Sequence, residues 1–154
     1  MKIIGIADTT FARYDMAASA MDELRNTGTG FRFERYTVPG VKDLPAACGI
    51  LFQKGCDIIM ALGMPGGKPI DKQCAHEAST GLIAVQIKEG KHIIEVFVHE
   101  DEASDEQQLA SLMDRRARDH AISAYDLLFH QDRLQKRAGK GIRQGYKDAG
   151  SVEK

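Results

Sequence analysis

The chain has 154 residues, of which 43% are hydrophobic and 28% charged, and this composition is typical of one globular domain spanning residues 1–154. Its 21 basic and 22 acidic side chains nearly cancel to −1, which argues against nucleic acid or an anionic membrane as a partner. Three cysteines without metal spacing indicate reduced thiols, and no apolar run approaches the ~20 residues of a membrane helix. We therefore expect a cytoplasmic protein.

Four short apolar segments predict the strands of one sheet: Lys2–Ala7, Phe31–Val38, Cys56–Gly63 and His92–Val98. Three of them are almost continuously apolar, as in strands covered on both faces, whereas Phe31–Val38 alternates and suits an edge strand. Segments with helical spacing lie between the strands. This alternation favours an α/β protein, and we expect a three-layer αβα fold with a four-stranded parallel sheet.

Apolar residues at helical spacing predict four helices. Asp43 stands where a cap would open the second helix, with Pro45 in its first turn. Ser104 followed by Gln107 has the spacing of a capping box for the fourth helix. The predicted helices carry the segments Ala17–Leu24, Asp43 to just before Gly55, Asp71–Lys88 and Ser104–Leu128.

The segment from Gln131 to Lys154 differs from the rest of the chain. It carries seven basic and three acidic residues, with four interleaved glycines. This composition fits a solvated, mobile tail as well as a segment that contacts a phosphate or a neighbouring subunit, and the sequence leaves both open.

Four loops hold most of the glycine, proline and unusual polar residues outside that tail. They follow the four predicted strands and span Asp8–Tyr14, Pro39–Pro45, Met64–Lys72 and His99–Asp105. In an open parallel sheet, ligands bind outside the carboxyl ends of the strands. We therefore expect these loops to build the binding site.

Three side chains near these strand ends are candidates for chemistry. Phe11 is placed to stack on a flat heterocycle, or else to fold back onto the first helix. His76 and Glu77 lie off the apolar stripe of the third helix, so both can face a pocket or solvent. Histidine titrates near neutral pH and a carboxylate can hold its tautomer, which makes the pair a candidate for proton transfer.

Glu95 interrupts an otherwise apolar strand, where a carboxylate needs a partner, a ligand or a wet subunit boundary. It also opens the segment Glu95–Glu106, which holds six acidic residues and no lysine or arginine. With His99, such a run can form a hard-cation site, although the dipole of a following helix also favours acidic residues. The chain carries no glycine-rich phosphate motif, zinc pattern or nucleophile–histidine arrangement.

Six segments closely resemble the archaeal-type riboflavin synthases, and together they cover nearly the whole chain. That family is related to lumazine synthase and not to the larger bacterial riboflavin synthases. The segments are DTTFAR (Asp8–Arg13), TVPGVKDLPAAC (Thr37–Cys48), CDIIMALGMPG (Cys56–Gly66), CAHEAS (Cys74–Ser79), HIIEVFVHEDEA (His92–Ala103) and AGKGIRQGYKDAG (Ala138–Gly150).

The resemblance implies a lumazine-synthase-like, flavodoxin-like fold that assembles as a homopentamer. It implies a dismutation in which one molecule of 6,7-dimethyl-8-ribityllumazine donates a four-carbon unit to a second. The products are riboflavin and 5-amino-6-(D-ribitylamino)uracil. It also implies a divalent cation, Mg²⁺ or Mn²⁺, whose ligands the sequence does not identify, and no organic cofactor.

The related lumazine synthases supply a partial map of the site. Their stacking aromatic matches Phe11, their phosphate-binding arginine corresponds to Arg137, and Glu95 takes the place of an aromatic from the adjoining subunit. Together with the loop pattern, this map gives the following candidate substrate-binding residues: Thr10, Phe11, Pro39, Gly40, Val41, Lys42, Asp43, Gly63, Met64, Pro65, Glu95, His99 and Arg137.

Departures from lumazine synthase shape the expected mechanism. The loop after the third strand lacks the arginine–glycine phosphate loop and catalytic histidine of those enzymes, and His76 falls where they usually carry asparagine. We expect Phe11 and the Gly63–Pro65 loop to sandwich a ring while Asp43 holds ribityl hydroxyls. We expect His76 with Glu77 to move protons, and Glu95 or His99 to reach across from a neighbouring subunit.

Three other functions stay open at this point. Lumazine synthase activity would condense a ribityl pyrimidine with a four-carbon phosphate. A non-catalytic lumazine- or flavin-binding protein would bind the same ring without consuming it. A receiver-like signalling domain is suggested only by Asp8, and that class needs an acidic pair where this chain has Ile6 and Ala7.

Overall fold

The computed structural model describes residues 1–154 and contains four strands and five helices. The strands are β1 (Lys2–Thr9), β2 (Phe31–Val38), β3 (Ile58–Gly63) and β4 (Ile93–Phe97). The helices are α1 (Met16–Thr27), α2 (Leu44–Gln53), α3 (Pro69–Glu89), α4 (Glu106–Phe129) and α5 (Gln131–Arg137). Two short 3-10 turns, Val41–Asp43 and Glu100–Glu102, follow β2 and β4.

The strands form one parallel sheet in the order β2-β1-β3-β4. This confirms the predicted four-stranded parallel sheet, and β2 lies at an edge as its alternating pattern indicated. The chain leaves β1 toward β2 and then returns to the other side of β1 for β3. The topological switch point, where ligands bind in such sheets, therefore lies between the carboxyl ends of β1 and β3.

Helices cover both faces of the sheet and make the fold three-layered. Because side chains alternate along a strand, Ile58, Met60 and Leu62 of β3 enter the core beneath α1 and α4. Ile59 and Ala61 enter the second core, beneath α2 and α3. Each large apolar side chain that is fully buried in this way contributes roughly 1.5–3 kcal/mol.

The structure confirms one predicted helix start and corrects another. Asp43 is the N-cap residue of α2 as predicted, but its Oδ2 accepts a hydrogen bond from the Gly40 N–H at 3.0 Å and makes no side-chain cap to the helix. The cap of α4 is Asp105, whose Oδ1 accepts from the Gln108 N–H at 2.8 Å. Ser104 instead donates to the Gln108 side chain. A carboxylate is favoured over a hydroxyl at this position because it also interacts with the helix dipole.

The basic C-terminal segment is anchored to the body of the protein and is not a featureless tail. The buried carboxylate of Asp126 on α4 lies 3.3 Å from Arg133 Nη1 and 3.1 Å from Arg137 Nη1, so it ties α5 to α4. Beyond α5, Gly145 is buried against α4. None of the helices combines the length and apolar character that crossing a membrane requires.

Candidate active site

Two cavities open where the strands end, on different faces of the first turns of α3. The ring cavity, of about 240 Å³, is lined by Phe11, Val41, Lys42, Asp43, Met64 and Pro65 among others. The histidine cavity, of about 390 Å³, is lined by His76, Ser79, Glu95, His99, Arg116 and Tyr146 among others. The structure therefore divides the predicted site residues between two neighbouring chambers.

The loop after β1 aims Phe11 at the ring cavity. The Thr10 N–H donates to the Val38 carbonyl at 2.9 Å and the Phe11 N–H donates to the Pro39 carbonyl at 3.2 Å, so this loop runs beside the end of β2. The Phe11 side chain is 57% exposed at the cavity wall, which leaves its face free for a flat ring. Thr10 and Pro39 support this loop and are not among the residues that line the ring cavity.

The turn after β2 presents polar groups to the same cavity. Gly40 and Asp43 close the turn through two hydrogen bonds of 3.0 Å, one to the Asp43 carboxylate and one to the Gly40 carbonyl. The bond from the Gly40 N–H uses Asp43 Oδ2, so Oδ1 is left to accept a hydrogen bond from a ligand hydroxyl. Lys42 Nζ lies 2.9 Å from Glu77 Oε2, which raises the pKa of Lys42 and lowers that of Glu77.

Gly63, at the end of β3, separates the two chambers where backbone and side chains approach closely. A Cβ at this position would lie 2.7 Å from Val41 Cγ1 and 3.1 Å from Phe97 Cε1. Val41 belongs to the ring cavity and Phe97 to the histidine cavity. Only glycine lets these two walls meet without displacement.

The histidine cavity brings together three predicted residues, His76, Glu95 and His99. Glu95 accepts a hydrogen bond from the Ser79 hydroxyl. Burial raises the pKa of the Glu95 carboxyl above its ordinary value, and the Ser79 contact only partly opposes this effect. A carboxyl group that retains its proton closer to neutral pH is suited to donating and accepting protons.

The expected His76–Glu77 pair is not what the structure shows. Glu77 binds Lys42 and accepts a hydrogen bond from Gln73 Nε2 at 3.2 Å, whereas His76 lines the histidine cavity. Successive residues on a helix do not face each other, so the two side chains diverge from the same turn of α3. The catalytic roles of both residues stay predictions. Glu95, and not Glu77, is a carboxylate that lines the same cavity as His76.

Sequence reasoning missed three residues of the histidine cavity: Arg116, His120 and Tyr146. Arg116 Nη1 lies 2.9 Å from each carboxylate oxygen of Glu102, and the Tyr146 ring centroid lies 4.6 Å from the guanidinium carbon. Burial lowers the pKa of His120, whose Nδ1 is 2.8 Å from the Arg116 carbonyl oxygen. Arg116 and His120 are four residues apart beside the buried stripe of α4, and that polar pair was the available signal.

The acidic run is occupied by basic partners within the chain. Arg13 contacts Glu100 and Glu106, and Lys72 Nζ lies 2.8 Å from Asp101 Oδ2. No group of three or more histidine, cysteine or acidic side chains is placed to hold a metal ion. Within one chain, the run forms ion pairs and a helix cap and does not form the hard-cation site that its composition allowed.

Two further candidate residues lie outside both chambers. Arg137 is bound to Asp126 and faces a separate cavity beside the start of β4, so it does not reach either chamber of its own chain. Asp8 is buried in β1, where Arg35 Nη2 and Thr37 Oγ1 each donate to its carboxylate at 2.6 Å. A carboxylate neutralised in this way does not resemble a free phosphoacceptor.

A comparison with known protein families assigns this three-layer fold to a class of protein. The chain belongs to the 6,7-dimethyl-8-ribityllumazine synthase family, whose model matches residues 2–131. The match includes all four strands and α1 to α4, and it ends before Arg137. The family match therefore gives no support to the proposed correspondence of Arg137.

Curated relatives named riboflavin synthase match almost the entire chain. The protein from Methanothermobacter thermautotrophicus is 55% identical over 150 residues, which cover 97% of this chain and 98% of the relative. The Archaeoglobus fulgidus protein is 51% identical over 98% of this chain and 99% of its own. The Aeropyrum pernix protein is 45% identical over 99% of each. These alignments extend into the C-terminal segment that the family match omits.

Proposed function

We propose that this protein is a riboflavin synthase of the cytoplasm. It converts two molecules of 6,7-dimethyl-8-ribityllumazine into riboflavin and 5-amino-6-(D-ribitylamino)uracil. The observation that carries this proposal is the near-complete match to relatives named riboflavin synthase, at 45% to 55% identity. The ring cavity and the histidine cavity lie at the ends of the strands and supply the binding and proton-transfer groups considered below.

The ring cavity binds one substrate by shape. Phe11 stacks on one face of the lumazine ring, and the Met64–Pro65 segment covers the other. Asp43 Oδ1 and the backbone of the Gly40 turn hold ribityl hydroxyls, because the turn presents these groups already ordered by its own hydrogen bonds. A preorganised turn lowers the entropic cost of binding the flexible ribityl chain.

The second substrate needs a neighbouring subunit. The wall at Gly63 and the first turns of α3 separate the two chambers of one chain. Two rings that exchange carbon atoms must lie in contact, so one chain cannot hold both in its two chambers. We therefore propose an oligomer in which the histidine cavity of one subunit completes the ring cavity of the next, and the homopentamer that the family resemblance implies is such an assembly. The exposed Ile83 and Ile87 of α3 give this face an apolar surface for such a contact.

The chemistry requires positioning and proton transfer. The C7 methyl group of the substrate is acidic because its anion is delocalised into the ring, and the atoms of two substrates equal those of the two products. Holding the two rings together supplies roughly 7–11 kcal/mol. His76, Glu95 and His99 then move protons, a contribution of typically about 10²–10⁴-fold in rate.

A divalent cation, Mg²⁺ or Mn²⁺, is part of the proposal only for the assembled site with bound substrate. The carboxylates that could ligate it within one chain are paired with Arg13, Lys72 and Arg116, and this arrangement does not fit a cation. No step described above depends on it.

The deciding experiment mixes the purified protein with 6,7-dimethyl-8-ribityllumazine, with Mg²⁺ or with excess chelator, and separates the products by chromatography. We expect one riboflavin for every two substrates consumed. Riboflavin in both tubes would support the synthase activity and refute the cation requirement. Substrate that binds and stays unchanged would refute the synthase and leave a binding protein. A parallel tube with the ribityl pyrimidine and a four-carbon phosphate tests lumazine synthase activity directly.

A further inference from the structure

The chain beyond α5 closes into an ordered loop, which we call the C-terminal loop (residues 138–150). The Ala149 N–H donates to the Gly141 carbonyl at 2.8 Å, and the Arg143 N–H donates to Asp148 Oδ1 at 2.9 Å. One bond joins backbone groups near the two ends of the loop, and the other is accepted by the Asp148 side chain. The loop is therefore held closed by contacts within itself.

The tip of the C-terminal loop sits on α4 at the histidine cavity. Gly145 is its one buried residue and has a φ of +76°, a conformation that favours glycine. A Cβ there would lie 2.8 Å from His120 Cε1 and 3.0 Å from Arg116 Cγ. This close approach brings the next residue, Tyr146, over the Arg116 guanidinium, with 4.6 Å between the ring centroid and the guanidinium carbon.

Arg116 links this tip to a predicted site residue. It is 4% exposed, and its Nε is the one buried side-chain polar atom in the chain without a hydrogen-bond partner. Its Nη1 donates to both oxygens of Glu102, and Glu102 Oε2 accepts the His99 N–H at 2.8 Å. The same oxygen lies 3.7 Å from His99 Nδ1. A continuous set of contacts therefore runs from Tyr146 through Arg116 and Glu102 to His99.

The riboflavin synthase relatives align with this loop. Their alignments cover 150 to 153 residues of this chain and reach past residue 131, where the lumazine synthase family match ends. The C-terminal loop therefore lies within the region that aligns with the proteins named riboflavin synthase.

We propose that the C-terminal loop caps the histidine cavity and that Tyr146 is a positioning residue. Its ring holds Arg116, which orients Glu102 and His99 toward substrate. This proposal rests on the riboflavin synthase function for its kinetic consequence, while the cap itself does not depend on that function.

Kinetics of the intact protein test the positioning role. Tyr146→Ala should lower kcat/KM about tenfold, because a buried guanidinium loses its aromatic cover. Tyr146→Phe keeps the ring and should restore most of the activity. Ile142→Ala, an exposed apolar change in the same loop, is the matched control and should stay at the wild-type value. Tyr146→Ala within twofold of wild type, or Tyr146→Phe as impaired as Tyr146→Ala, would overturn the positioning role.

Histidine titration by NMR tests the cap without any turnover. Burial lowers the pKa of His120, so Tyr146→Ala should move it back toward its ordinary value. Gly145→Ala should do the same, because its Cβ would push the loop away from His120. The ring signals of His92 and His130, which lie outside the cavity, are the internal controls. His99 and His120 share the cavity with other charged or titratable groups, which a displaced loop would also expose. These groups are Lys72, His76, Glu95, Glu102 and Arg116.

The kinetic test and the NMR test distinguish failure of the proposed function from failure of the cap. An unchanged His120 titration in both variants would refute the cap. If wild-type protein makes no riboflavin, the proposed function fails, and the titrations still decide whether the loop covers the cavity.

Discussion

The ring cavity and the histidine cavity are built in different ways. The ring cavity consists mainly of loop residues that directly follow β1, β2 and β3, and its charged groups are already engaged, Asp43 with the Gly40 turn and Lys42 with Glu77. The histidine cavity is assembled from side chains on α3, β4, α4 and the C-terminal loop. The ring cavity is therefore defined mainly by shape, whereas the histidine cavity is lined by histidine, carboxyl and guanidinium groups.

The difference predicts how variants divide. Changes in the ring cavity should alter substrate binding and therefore KM, whereas changes in the histidine cavity should alter kcat and its pH dependence. A ring-cavity variant that mainly lowers kcat, or a histidine-cavity variant that mainly raises KM, would show that the two chambers act as one.

The largest effect is expected for His76→Ala. Loss of a group that transfers protons should lower kcat by about 10²-fold with little change in KM, and it should change the pH profile of kcat. Steady-state kinetics from pH 5 to 9 measures both. His92→Ala, at an exposed histidine outside the cavity, is the control. Near-full turnover with an unchanged pH profile would remove His76 from the mechanism.

The wall between the chambers is tested by Gly63→Ala. The added methyl group would meet Val41 and Phe97, and overpacking of this kind costs about 1–3 kcal/mol of unfolding free energy. Urea denaturation measures the loss. Gly49→Ala is the matched control, because a Cβ there has no neighbour within 4 Å and alanine favours the helix. Equal stability of Gly63→Ala and wild type would mean that the wall yields without cost.

Phe11→Ala tests the ring cavity alone. Loss of a stacking face worth about 0.5–1.5 kcal/mol should raise KM by roughly two- to twelvefold and leave kcat nearly unchanged. Because Phe11 is 57% exposed, we expect unfolding free energy to change by less than about 0.5 kcal/mol. Ile70→Ala, a similar loss of exposed apolar surface on α3, is the control for nonspecific effects. An unchanged KM would show that Phe11 does not contact the ring.

The sequence predicted the parallel sheet and the loops that meet at the ring cavity, but not helix α5. Continuous apolar runs locate buried strands, and the carboxyl ends of parallel strands meet at one edge, so the loops carrying Phe11, Asp43 and Pro65 could be placed together in advance. The cap of α4 was misassigned because Ser104 and Asp105 are adjacent cap residues, and only the backbone geometry of the turn selects between them.

The histidine cavity could be predicted only in part. Its members come from positions as distant as Lys72 and Tyr146, and no local pattern states which face of α4 meets the end of the chain. Glu95 was recognised because a carboxylate in an apolar strand is unusual. Tyr146 was not, because its partner Arg116 is brought to it only by tertiary packing.

The smallest predicted effect concerns two carboxylates: Glu95 in the histidine cavity, and Glu77, which binds Lys42 beside the ring cavity. Burial raises the pKa of Glu95 above its ordinary value near 4.5, so its stabilisation is fully present below that value and is lost as pH rises through the folded-state pKa. The hydrogen bond from Lys42 lowers the pKa of Glu77, so its stabilisation is present above the ordinary value and is lost as pH falls. Relative to wild type, Glu95→Gln should therefore become more stable as pH rises above about 4.5, whereas Glu77→Gln should become less stable as pH rises toward about 4.5 from below. Urea denaturation on both sides of that pH measures the two slopes, and slopes of the same sign would show that the two carboxylates do not lie in opposite electrostatic environments.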